Sequence, residues 1–266
     1  MHSSPPCVTR EQSRRNKGHI VSSLAIAAVF LCWTLIVLPC VIFIAVLHRL
    51  RPAAMRRVSR RCIWLYGRIT LFFLRPWLPV RIDDPDSAVR HPRSIITPNH
   101  QSFLDLYLIS AQRQANVCFV TKSWPRRLLF FFAPVMRSAG YIDAESLPPE
   151  DVEELCLQRL REGATLVIFP EGRRTRDGSL GRFHSGAFRV AVRAQVPVLP
   201  LLIKNTFHIF PPGGTRFAPA PIEMGFLEPI FPQDFTGELL PHRAMMRRVR
   251  AQFLQHLPNP AREDDP

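Results

Sequence analysis

Hydrophobic residues are distributed unevenly along the chain. A run from Ile20 to Leu47 contains 28 residues without a formal charge, and a second apolar and aromatic stretch, 62–80, is interrupted by Arg68 and Arg75. A helix rises about 1.5 Å per residue, so the first run is long enough to cross a hydrocarbon core about 30 Å thick. The second stretch is typical of a helix that lies in the membrane interface. The N-terminal part of the chain therefore predicts a transmembrane or interfacial helical anchor.

From residue 81 onward, short apolar runs alternate with helical stretches, which predicts an α/β fold with a mostly parallel central sheet flanked by helices. The predicted strands are Ser94–Thr97, Val117–Thr121, Tyr141–Ile142, Thr165–Phe169 and Val196–Ile203, with a late strand between Pro-rich loops. The predicted helices lie near 102–112, 126–138, 149–162 and 184–194, and a basic amphipathic helix covers Arg243–Leu257.

These patterns divide the chain into five segments. They are a basic N-terminal segment 1–19, a transmembrane helix 20–47, a basic linker and interfacial helix 48–80, a globular domain 81–257 and a flexible tail 258–266. The basic N-terminal segment is expected to be disordered or to lie at the lipid headgroups. Arginines are denser after the transmembrane run than before it, so the positive-inside rule places the globular domain in the cytoplasm. If the segment 62–80 also crossed the bilayer, the domain would lie on the other side.

The charge balance narrows the class of partner. The chain has 35 Lys and Arg against 21 Asp and Glu, a net charge of +14, which favours phospholipid headgroups, acidic proteins or nucleic acid. The hydrophobic N-terminus makes a membrane the preferred partner. The six cysteines form no C-x-x-C pair, so neither a zinc site nor a disulfide framework is indicated, and a reducing compartment is the simplest inference. Motifs for nucleotide binding, zinc proteolysis and serine hydrolysis are absent from the sequence.

A histidine and a carboxylate lie five residues apart in the stretch Thr97–Asp105, at a predicted strand-to-helix turn. Residues five apart diverge on a straight helix, so His100 reaches Asp105 only if it precedes the helix and folds back over it. Such a pair suits general-base catalysis, in which the carboxylate fixes the imidazole tautomer and stabilises the imidazolium. The alternative is a capping box, in which Ser102 caps the helix and Asp105 reaches back to its N–H.

A second motif follows the buried strand Thr165–Phe169. Pro170 ends this strand, and Glu171-Gly172-Arg173-Arg174 comes next. Ligands of α/β proteins bind outside the carboxyl ends of strands, where this loop and the turn with His100 would both lie. Guanidinium groups there suit bidentate binding of phosphate. A solvated turn with local ion pairs is the alternative interpretation.

Together the two motifs resemble the signature of the glycerolipid acyltransferases, the lysophosphatidate acyltransferase-like family of lysophospholipid acyltransferases. That signature is N-H-x-x-x-x-D followed by F-P-E-G-T-R-S. This chain has Asn99-His100 through Asp105 and, about 70 residues later, Phe169-Pro170-Glu171-Gly172. The resemblance covers roughly residues 90–205, including Lys122 and a later Val196-Pro197-Val198-Leu199-Pro200.

The resemblance implies transfer of a fatty acyl group from an acyl-CoA or acyl-ACP thioester to a lysolipid hydroxyl. The acceptor it favours is 1-acylglycerol-3-phosphate, which would give phosphatidate in phospholipid biosynthesis. It implies no metal and no cofactor beyond the acyl donor. The partners it implies are membrane lipids, the lysolipid and the acyl carrier protein or coenzyme A thioester, and nucleic acid is not among them. The protein would be single-pass or monotopic, with the acyltransferase catalytic domain in the cytoplasm.

The resemblance also assigns roles to residues. His100 would be the general base and Asp105 its orienting partner, while Arg174 would bind the acceptor phosphate. The remaining substrate-binding residues would be Asn99, Lys122, Glu171, Gly172 and Arg173.

Two positions depart from the family pattern. Arg173 replaces the Thr of E-G-T-R-S, and Ala144 stands where many members carry an arginine that helps to hold glycerol phosphate. The same chemistry on another acceptor, such as a lyso-ornithine lipid or a polyene lipid, is therefore an alternative. An alternative of another class is a non-catalytic membrane protein that binds anionic lipid or nucleic acid. The apolar stretch Arg126–Met136 fits either ordinary core or an acyl-chain groove.

Overall fold

The computed structural model describes residues 10–122, 133–214 and 217–257. Predictions for residues 1–9, for the tail 258–266 and for the first part of the helix 126–138 lie outside these residues.

Two long helices precede the sheet: α1, Arg10–Leu50, and α2, Pro52–Leu74. The later helices are α3 (Ser87–Arg90), α4 (Asp105–Leu108), α5 (Ala133–Ser138), α6 (Pro149–Arg161), α7 (Gly186–Ala194), α8 (Thr206–Ile209) and α9 (Pro241–His256). The strands are β1 (Val80–Asp83), β2 (Ile95–Pro98), β3 (Val117–Thr121), β4 (Ile142–Asp143), β5 (Thr165–Val167), β6 (Val198–Lys204) and β7 (Ile222–Phe226).

The strands form one sheet in the order β1-β7-β6-β2-β5-β3-β4. Within the described residues β6 and β7 pair antiparallel and the other neighbours pair parallel, which confirms the predicted α/β class. The central strand β2 lies between β5 and β6, with Ile96 in register with Val167 on one side and with Leu199 on the other. The carboxyl ends of β2 and β5 therefore lie side by side.

Both faces of the sheet are apolar because each central strand alternates core residues between them. Ile95 and Leu166 face one cluster, which α6, α7 and α9 cover with side chains such as Phe188 and Phe253. A side chain of this size contributes roughly 1.5–3 kcal/mol when it is fully buried.

The second cluster lies on the opposite face of the sheet. Ile96 and Val167 point into it, and they are covered by Leu74 of α2, Leu108 of α4 and Ile26 of α1, all fully buried. Because both faces of the sheet are buried, the strands are continuous apolar runs in the sequence.

Three helices of the described residues differ from their predicted bounds by more than two residues. Helix α2 covers Pro52–Leu74, where a linker and an interfacial helix over 62–80 were predicted, because the basic linker is itself helical and Val80 already belongs to β1. The helix predicted over 102–112 begins only at Asp105, because the chain before it forms a tight turn, and it consists of the short α4 and a 3₁₀ turn, Ile109–Ala111. Helix α1 begins at Arg10, ten residues before the predicted start, although disorder or a headgroup location was expected for residues 1–19. Within α1, Ile20–Leu50 is long and apolar enough to cross a membrane by length and composition.

Helix α2 is held to the domain by polar contacts as well as by apolar packing. Arg60 is almost fully buried, and its Nε donates to the Ala139 carbonyl at 2.8 Å and its Nη1 to Asn116 Oδ1 at 3.1 Å. Near the start of α2, Arg57 donates to the Glu162 carbonyl at 3.0 Å. A buried guanidinium needs such acceptors, so α2 has one defined position on the sheet.

A glycine allows the closest approach between α2 and the domain. A Cβ built on Gly67 would lie 2.1 Å from Ser110 Oγ and 2.6 Å from Ser110 Cβ. The hydroxyl can rotate away, but the Ser110 Cβ is fixed to the backbone, so the two elements would have to separate.

We expect Gly67→Ala to destabilise the protein by about 1–3 kcal/mol through overpacking at this contact. Thermal unfolding in detergent would measure the change. Gly237→Ala is the matched control, because a Cβ there meets no heavy atom within 4 Å, and it should be neutral. Partial rescue of Gly67→Ala by Ser110→Gly is expected, whereas an unchanged midpoint for Gly67→Ala would contradict the close contact.

Candidate active site

Asn99 begins the turn that follows β2. Its Nδ2 donates to the Ile203 carbonyl at 2.8 Å, and its Oδ1 accepts the Ile203 N–H at 2.7 Å. This pair of bonds ties the turn to β6, and the side chain is buried. Both ends of the amide are therefore bound to the backbone, and its predicted contact with substrate stays a prediction.

The side chains of His100 and Asp105 meet across the turn between β2 and α4. The imidazole Nδ1 lies 2.9 Å from Oδ2 of the carboxylate. This is the folded-back arrangement that the five-residue spacing requires. Asp105 is fully buried, whereas His100 keeps 9% of its surface exposed, so the imidazole reaches the surface and the carboxylate does not.

The Asp105 carboxylate accepts hydrogen bonds from several segments. The backbone N–H groups of Gln101 and Ser102 donate to Oδ2 at 2.7 and 2.8 Å, and the Thr206 hydroxyl donates to Oδ1 at 2.8 Å. The bond from the Ser102 N–H is the reach-back contact of the capping-box alternative, but α4 begins at Asp105 with Leu104 as its N-cap, so Ser102 does not cap the helix. The carboxylate instead binds the N–H groups before the helix and the His100 ring.

The loop after β5 holds the main chain of His100. Oε1 of Glu171 accepts the His100 N–H at 2.8 Å, and the Thr175 N–H donates to the His100 carbonyl at 2.9 Å. Oε2 of Glu171 accepts the Gly181 N–H at 2.7 Å. The two sequence motifs thus meet at one residue, as expected for loops at the carboxyl ends of neighbouring parallel strands.

Glu171 acts on the backbone of the site. Burial raises the pKa of its carboxyl above the usual range, and the N–H groups of His100 and Gly181 act in the opposite direction. Both carboxylate oxygens accept backbone N–H groups, so Glu171 holds the backbone of the site, while its predicted contact with substrate stays a prediction.

An aromatic ring lies against the histidine. The ring centroids of Phe169 and His100 are 4.0 Å apart, with an angle of 28° between the planes. The stacking therefore restricts the orientation of the imidazole.

A basic cavity of about 830 Å³ opens beside this pair. Cationic side chains line it: Lys122, Arg173, Arg174, Arg176 and Arg182. Gly172 lies in this wall with a φ of +66°, a conformation that favours glycine, and a Cβ there would be 3.5 Å from the His184 ring. Hydrogen bonds from Ser179 and Thr175 lower the pKa of Asp177, also in the wall, to about 2. The excess of guanidinium groups suits an anionic ligand such as a phosphate.

Lys122 and Ala144 follow neighbouring strands. β3 and β4 pair in parallel with Thr121 opposite Asp143, so Lys122 and Ala144 leave the sheet at the same edge. Ala144 is exposed, and its N–H donates to the Thr121 carbonyl at 2.8 Å. Lys122 therefore carries a positive charge at the edge of the sheet where Ala144, in place of an arginine, carries none.

Three residues of the site had no signal of their own in the sequence. Arg182 and His184 line the basic cavity from the segment before α7, and Thr206 contacts Asp105 from the start of α8. Arg182 and His184 follow the second motif within a dozen residues, and this proximity in the sequence is the signal that could have indicated them. Among residues 10–122, 133–214 and 217–257, no cluster of three or more His, Cys, Asp or Glu residues could hold a metal ion.

An apolar cavity of about 100 Å³ lies between α2 and the turn that carries His100. Phe103, three residues after His100, lines it, as does Met136 at the end of the stretch Arg126–Met136. Residues 126–132 of that stretch lie outside the described residues. The remaining lining residues are Ile63, Tyr66, Gly67, Leu106, Tyr107, Ser110, Phe119, Thr121 and Tyr141.

Comparison with known proteins agrees with this geometry. Residues 79–204 match the family model described as Acyltransferase. The chain is 28% identical over 200 residues to 1-acyl-sn-glycerol-3-phosphate acyltransferase of Cocos nucifera, covering 73% of this chain and 63% of that protein. It is 34% identical over 126 residues to the chloroplastic BAT2 protein of the same description from Brassica napus, covering 45% of this chain and 35% of that protein. The chain thus spans less than two thirds of the length of these relatives.

The fold has a solved counterpart. The crystal structure of the 1-acyl-sn-glycerophosphate (LPA) acyltransferase from Thermotoga maritima aligns with a TM-score of 0.72 and 24% identity, covering 91% of this chain and 97% of that one. At this identity the likeness shows a common fold. Both sequence motifs, at His100–Asp105 and Phe169–Gly172, fall inside the matched domain. The chain is therefore similar to the 1-acyl-sn-glycerol-3-phosphate acyltransferases over its acyltransferase domain, residues 79–204.

Proposed function

We propose that this protein is a membrane-anchored O-acyltransferase that transfers a fatty acyl group from a thioester to the hydroxyl of 1-acylglycerol-3-phosphate, giving phosphatidate. One observation carries the proposal. The basic cavity and the His100–Asp105 pair share a wall, because Phe169 stacks on the imidazole, Glu171 accepts the His100 N–H, and both residues line the cavity. A phosphate bound in the cavity would bring its neighbouring hydroxyl towards the imidazole.

The geometry determines which imidazole nitrogen serves as the base. An ionised Asp105 can only accept at Oδ2, so the proton of the neutral imidazole resides on Nδ1. Nε2 then carries the free lone pair. His100 accepts the acceptor's hydroxyl proton at Nε2 while Asp105 stabilises the imidazolium.

The remaining steps follow from this proton position. The deprotonated acceptor oxygen attacks the thioester carbonyl and forms a tetrahedral intermediate. The C–S bond then breaks, the ester is complete, and the imidazolium returns its proton to the departing sulfur to give the free thiol. Positioning and base catalysis supply most of the rate, and no covalent acyl-enzyme is needed.

Two acceptor classes fit the site. The guanidinium groups of Arg173 and Arg174, with Lys122 in the same cavity, support a phosphate-bearing acceptor. Ala144, where an arginine was expected, favours the second candidate, the same chemistry on another lysolipid. The net charge of +14 attracts both acyl-CoA and acyl carrier protein, so either thioester remains a candidate donor.

We propose a monotopic anchor as the form of membrane attachment. At one end of the apolar helix, Ser23 Oγ accepts the Phe217 N–H at 2.9 Å, and Ile26 is fully buried against the sheet. At the other end, Val41 and Ile44 pack with Val135 of α5. These contacts are about 27 Å apart along α1, which is close to the thickness of a hydrocarbon core.

A helix that touches the same domain at both ends cannot cross the bilayer unless the domain crosses with it. The opposite face of the α1–α2 hairpin is free to enter one leaflet, because it exposes large apolar side chains. They include Leu24, Leu31, Leu35, Ile36 and Phe43 of α1 and Leu65, Phe72 and Phe73 of α2.

We expect His100→Ala to reduce acyl transfer by roughly 10²- to 10⁴-fold, because it removes the general base. The assay supplies labelled acyl-CoA and acyl-ACP with a panel of lysolipids and identifies the product by mass. His91→Ala is the control, since His91 packs on Phe231 outside both motifs, and it should leave turnover unchanged. Turnover retained by a folded His100→Ala protein would exclude His100 as the base. Salt-sensitive lipid binding without product from the wild type would favour the non-catalytic alternative.

We expect Arg174→Ala to raise KM for lysophosphatidate roughly tenfold or more, because a charge-assisted phosphate contact is lost. An uncharged monoacylglycerol acceptor should be unaffected. Arg161→Ala, at an exposed arginine paired with Glu154 on α6, is the matched control. An equal effect of Arg174→Ala on both acceptors would argue against phosphate recognition by Arg174.

We expect tags at the two termini to be digested from the same side of sealed membrane vesicles, because the hairpin enters one leaflet only. Protease protection of doubly tagged full-length protein measures this. A single-pass helix would protect one tag and expose the other, and that result would contradict the monotopic anchor.

A further inference from the structure

The Asp105 carboxylate has two oxygens with different surroundings. Oδ2 receives the imidazole and two backbone N–H groups, whereas Oδ1 receives the Thr206 hydroxyl at 2.8 Å. Asp105 and Thr206 are both fully buried. Among the described residues, the Thr206 hydroxyl is the donor that the structure records at Oδ1, so this oxygen depends on it.

We propose that Thr206 is a positioning residue of the acyl transfer, whose hydroxyl fixes the Asp105 carboxylate and thereby the His100 imidazole. The inference rests on the proposed function. Thr206 lies two residues beyond the matched domain 79–204 and belongs to neither sequence motif. It also does not line the basic cavity, so it acts through Asp105 rather than on the substrate.

The chain presents this hydroxyl through a defined turn. Asn205, between β6 and α8, adopts a left-handed conformation with φ of 74°, and its Nδ2 donates to the Pro221 carbonyl at 3.1 Å. A β-branched side chain such as threonine has restricted χ1 freedom. The hydroxyl has one proton, and Asp105 Oδ1 is nearer, at 2.8 Å, than Gln101 Oε1, at 3.4 Å. The shorter, charge-assisted bond to Asp105 takes that proton.

The contact matters most when His100 is protonated. The imidazolium is stabilised by a carboxylate that is ionised and lies in the plane of the imidazole ring, opposite the Nδ1–H group. Without the hydroxyl, Oδ1 would be a buried anionic oxygen lacking a donor, and the carboxylate could rotate away from the ring. Because Thr206 follows β6 and His100 follows β2, the bond also fixes the pair to a second strand of the sheet.

We expect Thr206→Val, which keeps the shape and removes the hydroxyl, to lower kcat roughly 10- to 100-fold with little change in KM for the lysolipid. Thr206→Ser restores the donor and should recover most of kcat. Thr165→Val is the matched control, because Thr165 is also fully buried in the sheet and its Oγ1 has no hydrogen-bond partner among the described residues. The control should behave as the wild type.

A pH profile distinguishes positioning from a purely structural role. Without the hydroxyl the carboxylate is no longer held against the imidazolium, so the His100–Asp105 pair of Thr206→Val loses its proton at lower pH. The acid limb of kcat/KM should move to lower pH in that variant and stay in place in Thr206→Ser. Glu171, which accepts the His100 N–H, and the cationic side chains of the basic cavity are unchanged in all variants.

Titration of the His100 ring by NMR in the ligand-free protein gives a readout that does not need acyl transfer. In the wild-type background, Thr206→Val should shift the pH at which the His100 ring titrates. In the Asp105→Ala background it should not, because the carboxylate that connects Thr206 to His100 is absent there. A wild-type titration and kcat in folded Thr206→Val would overturn the proposal. An equal shift in the Asp105→Ala background would overturn it too. Absence of acyl transfer by the wild type would instead contradict the proposed function, and the NMR comparison would still decide the role of Thr206.

Discussion

A buried carboxylate is the constraint on which the rest of the site depends. An ionised Asp105 without partners would cost several kcal/mol in a low-dielectric interior, so the chain has to supply donors for it. Two of them are consecutive backbone N–H groups, of Gln101 and Ser102, which forces a tight turn and delays the start of α4 to Asp105 itself. The same turn brings the His100 ring back over the carboxylate.

That turn is held by three neighbouring strands. It follows β2, it is bonded to β6 through Asn99 and Ile203, and it is bonded to the loop after β5 through Glu171. Parallel pairing of β2 with both neighbours brings these carboxyl ends to one edge of the sheet. The imidazole is therefore positioned by the sheet as a whole, and packing on both faces of that sheet contributes indirectly to its orientation.

The sequence contained the strand-forming runs and the two motifs, because burial on both faces and the turn residues leave local patterns. The strand predicted at Val117–Thr121 agrees to the residue, and the contact of His100 with Asp105 could be anticipated from their spacing. The partners of Asn99 and Glu171 could not, because Ile203 and Gly181 are brought near by the tertiary fold. Their type, an amide and a carboxylate beside the motifs, equally suits substrate binding. Thr206 left no pattern at all, since one threonine after a buried strand is ordinary.

The two cavities have the polarity that an amphiphilic acceptor would need. Phe103, on the turn that carries His100, lines the apolar cavity beside α2, whereas Phe169 and Glu171, which contact His100, line the basic cavity. A lysolipid has its free hydroxyl between an acyl chain and a headgroup, so the position of the proposed base between apolar and cationic walls suits the proposed acceptor. The apolar wall is partly formed by α2, whose outer face is exposed and hydrophobic at Leu65 and Phe72. The helix that completes the apolar cavity is therefore also part of the proposed membrane anchor, which couples the location of the enzyme to the shape of its site.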